Sequence, residues 1–387
     1  MTIRYDPIAR RLECAVRDLV EAAHDPFGNA GATRARQRVG RDIHEAHQQA
    51  QREAVAGYQS EWHVRHQQVV DDVEVLIEGR IDGVYLDATG VLHLEEVKSV
   101  LVPAAELAQI EVARLRAFEE QVALYALLLR ASEASLAAQA ETVCADVILV
   151  SVLDGATHRH PVDLTKFGPD LIASRVRSIL ASLAHAEAEI ARRRGLAEQL
   201  PFPFGAFRAQ QGTMVEFLAS RAHEGRHALV EAPTGIGKTA ASLFAMGRDA
   251  LAAGAKLFYV TPKNTQQQLV VETARQWHLQ GHAVRVVTLR AKSKLCLNDV
   301  LACHPDLCPY AKNYTEKLAA ANLPEALWQP ESFETFGEDT VVTPERLQAV
   351  GRKERVGPFE LGLDLSESAD VVVGDYNYVF DPVVALK

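Results

Sequence analysis

The sequence predicts an α/β protein with two mixed helix–strand domains in tandem. Three observations predict it. Residues 73–97 alternate apolar and polar side chains around Asp87-Ala88-Thr89-Gly90, the pattern of two strands joined by a glycine-containing turn. Residues 231–239, EAPTGIGKT, lie between a short apolar run and a helical repeat, the setting a phosphate-binding loop needs. Beyond that loop, buried-strand runs alternate with helical stretches, the pattern of a parallel sheet with helical crossovers.

The 387 residues leave room for two or three domains. The expected divisions are a first domain at 1–165, a helical linker at 166–200 and a second domain at 201–387, with an insertion at 290–357. Hydrophobic content is 48%, and no apolar run approaches the roughly 20 residues of a membrane span. The N-terminus has no signal-peptide pattern, so a cytoplasmic protein is expected. A net charge of −10 excludes a uniformly basic nucleic-acid coat but not a local basic groove. Two clusters could line one: Arg34, Arg36, Arg38 and Arg41, and Arg192, Arg193 and Arg194.

The first 70 residues read mostly as helix. Residues 32–56 are rich in Arg, Gln and Ala, and within them His44 follows Gly40 by four. Residues 73–86 alternate as a strand, and 91–97 form its partner. This hairpin carries Asp82 on one strand, with Glu96 and Lys98 on the next. Two apart, Glu96 and Lys98 project to the same face. The following helix holds Gln121 and Tyr125 four apart, again on one face. A second hairpin is expected at 147–152 and 158–164.

Asp82 followed by Glu96-x-Lys98 resembles the active site of the PD-(D/E)XK nuclease superfamily. Gly40-x-x-x-His44 and Gln121-x-x-x-Tyr125 are similar to elements of its RecB-like branch. The resemblance implies catalytic roles for Asp82, Glu96, Lys98, Gln121 and Tyr125. It also implies His44, Asp82 and Glu96 as ligands of Mg²⁺ or Mn²⁺. The residue types suit that chemistry: carboxylates hold the cation beside the scissile phosphate, and a lysine positions the attacking water.

In the second half, residues 228–230 read as a buried strand leading into the loop. Gly235 and Gly237 let the backbone approach phosphate oxygens, and the loop N–H groups and helix N-terminus favour the negative charge. Thr234 and Ile236 complete the loop. Lys238 would reach the β- and γ-phosphates, and the Thr239 hydroxyl would ligand Mg²⁺. Ala232 stands where the first glycine of G-x-x-x-x-G-K-[ST] is usual, as in helicases of superfamily 2. Upstream, FRAQQGTMVEFL resembles the adenine-sensing element of helicases related to XPD and DinG, which implies base contacts for Arg208 and Gln211. Residues 256–261 and 283–289 read as further strands. The first ends in PKNTQQQ, similar to motif Ia of those helicases, with Thr261, Lys263, Thr265 and Gln266 as donors for backbone phosphates.

Of five cysteines, Cys14 and Cys144 are isolated. Cys296, Cys303 and Cys308 crowd together, a spacing that suggests a metal or cluster site. Zinc with His304 as fourth ligand is one possibility. The words around them, KSKLCLNDVLACHPDLCPYAKNY, resemble the iron–sulfur insertion of the XPD and DinG helicases, which implies thiolate ligands for a cluster. Gly357 stands where those relatives place a fourth cysteine, so a labile cluster or none is expected, in a loosely ordered insertion. Residues 357–382 match the segment that leads back into the helicase core sheet. No D-E-A-H follows, so an incomplete motor is expected.

Together these resemblances imply a PD-(D/E)XK nuclease-like domain followed by a RecA-like P-loop domain with an iron–sulfur-type insertion. The implied cofactors are ATP, Mg²⁺ or Mn²⁺ and a degenerate iron–sulfur cluster. The implied partner is single-stranded or forked DNA, with no membrane. The alternative is a metal-dependent nuclease or a non-catalytic DNA-binding remnant whose P-loop half binds nucleotide without turnover.

Overall fold

The computed structural model describes residues 3–24, 34–110, 112–131, 140, 142–301, 303, 307–329 and 339–381. The chain divides into two compact units, Met1–Ala184 and His185–Lys387. Both are α/β.

The first unit opens with strands β1 (Arg4–Asp6) and β2 (Arg11–Ala15), then helices α1 (Val16–His24) and α2 (Arg34–Ala54). Strands β3 (Gln59–Val70), β4 (Val73–Leu86) and β5 (Val91–Val100) follow. Helices α3 (Ala104–Leu107) and α4 (Val112–Ala131) lead to β6 (Thr142–Ser151) and β7 (Thr157–Pro161). Helix α5 (Leu171–Gln199) begins in this unit and ends in the next. The sheet runs β1-β2-β4-β5-β6-β7, with β3 paired to β4. Three of these strands, β1, β2 and β3, correct the expectation that the first 70 residues are mostly helix. In β3 exposed and partly buried residues alternate, with Val64 and Val70 buried. Such a strand is polar in composition, which hides it from a search for apolar runs.

Pairing along β4 positions the site. One edge of β4 pairs β3 from Val73 to Val84. It also pairs β2 over Glu74–Glu78 and β5 only over Gly83–Leu86. Residues 79–82 therefore lie in a gap between β2 and β5. The core beneath comprises Val75, Ile77 and Ile81 of β4, Leu92 and Leu94 of β5, Val147 and Leu149 of β6, and Leu124 and Leu128 of α4.

The second unit contains α6 (Gln211–His223), α7 (Lys238–Ala252), β8 (Leu257–Val260), α8 (Asn264–Leu279), β9 (Val286–Thr288) and α9 (Lys292–Leu295). Then come α10 (Tyr314–Ala320), β10 (Val341–Val342), α11 (Pro344–Glu354), α12 (Pro358–Ser368), β11 (Val371–Gly374) and α13 (Asn377–Phe380). Its four strands are parallel, in the order β10-β9-β11-β8. Val286, Val341, Val371 and Val373 pack into one core, and Val287, Val342 and Val372 into another. Successive strand residues point to opposite faces, so both faces of this sheet are buried.

Three expectations change here. Residues 228–230 form no strand, and Leu229 is 99% exposed. Among the described residues no neighbouring strand offers this run a ladder, and an apolar run without backbone partners gains nothing from extending. The described part of the cysteine-bearing segment is not loose: Tyr314, Leu327, Trp328, Leu347 and Val356 pack into one core, and β10 joins the sheet. The Arg192–Arg194 cluster is not an open basic face. Arg192 and Arg193 both hydrogen-bond Asp370, which is fully buried and also accepts the Arg285 N–H. The side chains of Arg34, Arg36 and Arg38 lie outside the described residues.

Candidate functional site

In the first unit the sequence-predicted residues come together at the gap in β4. Beyond Glu95 the strands β4 and β5 part, which leaves the Val97 N–H without a strand partner on β4. The Asp82 carboxylate accepts it at 2.7 Å. Burial pushes the Asp82 pKa up, against the pull of Lys98 and of that N–H. Lys98 donates to Glu96 Oε1 at 2.6 Å and lies over the Phe118 ring. Burial pushes Glu96 up to about 7, although Lys98 opposes the shift. The other oxygen, Glu96 Oε2, is buried without a hydrogen-bond partner among the described residues. His44 Nδ1 stands 3.8 Å from Asp82 Oδ2. Burial, then Lys98, lowers the His44 pKa, which favours the neutral ring that ligates metals.

Gln121 and Tyr125 close the gap from α4. The Tyr125 hydroxyl accepts from the Gln121 amide and from the Arg80 N–H, in the stretch where β4 lacks a second strand. Gly79 makes room for it, since a Cβ there would sit 2.7 Å from Tyr125 Cε1. Tyr125 thus supplies one of the hydrogen bonds that pairing would have made.

Among the described residues no three His, Cys, Asp or Glu side chains converge as a metal-binding group. The donor types at this gap nevertheless suit a hard divalent cation: two carboxylates, one with an unpartnered buried oxygen, beside a neutral imidazole.

Sequence reasoning missed the groups behind this site. Glu95, fully buried, accepts from Tyr58 at 3.2 Å and from Arg159 at 2.5 Å, with His47 3.5 Å away. Arg159 also pairs with Asp146. Gln48 donates to the Asp82 carbonyl at 3.1 Å. The available signal was a charged residue on each face of one strand, since Glu95 and Glu96 must point to opposite sides. A cavity of about 810 Å³ opens on the Glu95 side among Tyr85, His93, Asp146 and Arg159.

In the second unit the loop Thr234, Gly235, Ile236, Gly237 precedes α7, which starts at Lys238. Gly235 and Gly237 adopt φ of +89° and +83°, the left-handed region that glycine enters without strain. Lys238 Nζ donates to the Ala232 and Pro233 carbonyls, both at 2.9 Å. Thr239 lies in the first turn of α7, where its carbonyl accepts from Ser242. Arg208 Nη1 donates to the Gly235 carbonyl at 3.0 Å, and Gln211 Nε2 to the Gly237 carbonyl at 3.1 Å. At the end of β8, Thr261 turns its hydroxyl inward to the Lys263 carbonyl, while Lys263, Thr265 and Gln266 are exposed.

The cysteines are only partly gathered. Cys308 is buried and its sulfur accepts from the Asn298 amide at 3.0 Å. Cys303 is exposed, and Lys292 interacts with both its thiol and Glu360. Cys296 is half-buried at the end of α9. His304 lies outside the described residues. Gly357 offers no ligand, and the Glu360 carboxylate fills the space in front of it. Three thiols with no fourth donor at position 357 do not fit a fully ligated cluster.

Residues 260–387 match the DEAD_2 family model, a helicase-related family of the XPD and DinG type. The match runs from the last residue of β8 to residue 387 and supports a helicase-type unit that binds nucleotide and nucleic acid. No curated protein matches the chain. A solved structure titled "Crystal structure of SSO0001" is similar at 14% identity over 44% of this chain and 76% of that chain, with a TM-score of 0.29. A likeness that low supports no conclusion about fold or function. Among the described residues no helix is long and apolar enough to cross a membrane.

Proposed function

We propose that the chain carries motor elements of an ATP-dependent DNA helicase of the XPD and DinG type, joined to a metal-dependent nuclease-like domain. It would act on single-stranded or forked DNA. The observation that carries the motor half is the glycine loop at the start of α7, with α7 and most of β8 between it and the DEAD_2 match. The nuclease half rests on Asp82, Glu96 and Lys98 meeting where β4 and β5 part.

In the motor half, Lys238 leaves the Ala232 and Pro233 carbonyls to take phosphate oxygens. The backbone N–H groups of the loop receive the remaining charge, and Thr239 holds the nucleotide's Mg²⁺. Lys263, Thr265 and Gln266 hold a nucleic-acid backbone without reading its sequence. In the nuclease half, Asp82 and Glu96 would hold Mg²⁺ or Mn²⁺, with His44 beside them. The cation supplies charge stabilisation and a more acidic water. Lys98 would orient the attacking water, and Gln121 and Tyr125 would keep β4 in place behind Asp82.

For Cys296, Cys303 and Cys308 the reading is a three-thiolate site without a fourth ligand. Anaerobic iron and sulfide assay of the wild type beside Gly357→Cys tests it; a stable stoichiometric cluster in the wild type would contradict it.

The test of the motor half is nucleotide binding. ATP with Mg²⁺ should bind the wild-type chain, and Lys238→Ala should weaken that binding at least tenfold, since a charge-assisted contact contributes about 1.5–3 kcal/mol. Equal binding by both proteins would sink the assignment.

A further inference from the structure

Gln211 opens α6, and its side chain is 3% exposed. Its amide is occupied within the protein. Oε1 accepts the Arg208 N–H at 2.9 Å, and Nε2 donates to the Gly237 carbonyl at 3.1 Å. The approach is close: a Cβ on Gly237 would meet Gln211 Nε2 at 2.5 Å. The preceding residue, Gln210, holds a left-handed φ of +65° without a side-chain cap. Non-glycine residues keep that conformation where their surroundings over-determine it, often at functional sites.

Peptide planarity says what these bonds do. The Gly237 carbonyl and the Lys238 N–H belong to one rigid plane and point in opposite directions. Holding the carbonyl toward Gln211 turns the Lys238 N–H the other way. The same carbonyl accepts the Ala241 N–H of the first turn of α7, so Gln211 ties loop and helix at one atom. Arg208 does the same one step earlier: its bond to the Gly235 carbonyl fixes the N–H of Ile236. Two alternate loop carbonyls are thus pinned from one segment, and with them two of the N–H groups that would face an anion.

We propose that Gln211, with Arg208, is a positioning residue for the phosphate loop: it presets the loop N–H groups and so governs affinity for the polyphosphate chain, independent of the base. This rests on the nucleotide reading of the loop.

The test is calorimetric binding of ATP, GTP and inorganic tripolyphosphate, each with Mg²⁺, to the 387-residue chain. Wild type, Gln211→Ala, Gln211→Glu and Lys238→Ala are compared. Gln211→Glu keeps an acceptor for the Arg208 N–H and loses the donor to Gly237. Gln211→Ala and Gln211→Glu should weaken all three ligands by the same factor, about tenfold for one lost hydrogen bond. Their melting temperatures should stay close to wild type. If Gln211→Ala does not fold, Gln211→Glu carries the comparison. Loss confined to ATP, with tripolyphosphate unchanged, would make Gln211 a base reader and overturn the proposal. Unchanged binding of all three would overturn it too, while leaving the loop assignment standing. Failure of the wild type to bind any of the three would overturn the nucleotide reading itself, and this proposal with it.

Discussion

The gap in β4 and the loop before α7 both gather polar groups where strand pairing is missing, but their support differs. At the gap, Asp82, Glu96 and Tyr125 are held by a seven-stranded sheet and by α4. Two backbone groups that pairing leaves over are met by side chains: Val97 N–H by Asp82, Arg80 N–H by Tyr125. At the loop, the run before it is exposed and unpaired, and the described contacts that shape it come from Arg208, Gln211 and Lys238. The first site is fixed by burial, the second by a few hydrogen bonds. Substitutions in the core beneath the first should therefore destabilise its unit, whereas substitutions at the second should retune it.

The largest expected effect is at Ile81, fully buried between Arg80 and Asp82. Ile81→Ala should destabilise the first unit by about 2–5 kcal/mol, from lost burial and the cavity left behind. Denaturant melts of the chain, followed by the Trp62 signal, measure it; a loss below 1 kcal/mol would mean that the gap is not part of a packed core. Next is Tyr125→Phe, which leaves the Arg80 N–H without its acceptor. A cost of about 1–3 kcal/mol is expected for an unsatisfied buried group. Amide exchange at Arg80 should accelerate while the rest of β4 stays protected, and equal protection in both proteins would remove Tyr125 from its place in the gap. The smallest effect is at the exposed run. Leu229→Ser should change stability by no more than about 0.5 kcal/mol, as surface substitutions do. A larger loss would show that this run pairs with something in solution.

Much of the first site was legible because period-two alternation locates a strand and its faces. That placed β4 at Val73–Leu86 and put Glu96 beside Lys98. The turn was legible through its chemistry: Asp87 Oδ1 accepts from Thr89 and Val91, and Gly90 takes the positive φ. What stayed hidden depended on partners distant in sequence. β3 is polar because β4 rather than a core supplies most of its stabilisation. The basic run at 192–194 read as the lining of a basic groove because its partner Asp370 lies far along the chain. Residues 228–230 have the composition of a buried strand, yet composition cannot provide a neighbour. The loop itself could be read from its glycines, but the bracing by Gln211 could not, because a glutamine's partner is not written in its spacing.

In the first unit, Asp82, Glu96 and Lys98 are proposed to form one working site. The most direct measurement is cleavage of end-labelled single-stranded DNA by the chain with Mn²⁺, wild type beside Asp82→Asn and Lys98→Ala, with circular dichroism confirming that each variant is folded. The expected result is metal-dependent trimming by the wild type that both variants lose. Cleavage that survives either substitution, or that never occurs with Mn²⁺ or Mg²⁺, would contradict the account and leave the gap in β4 as architecture alone.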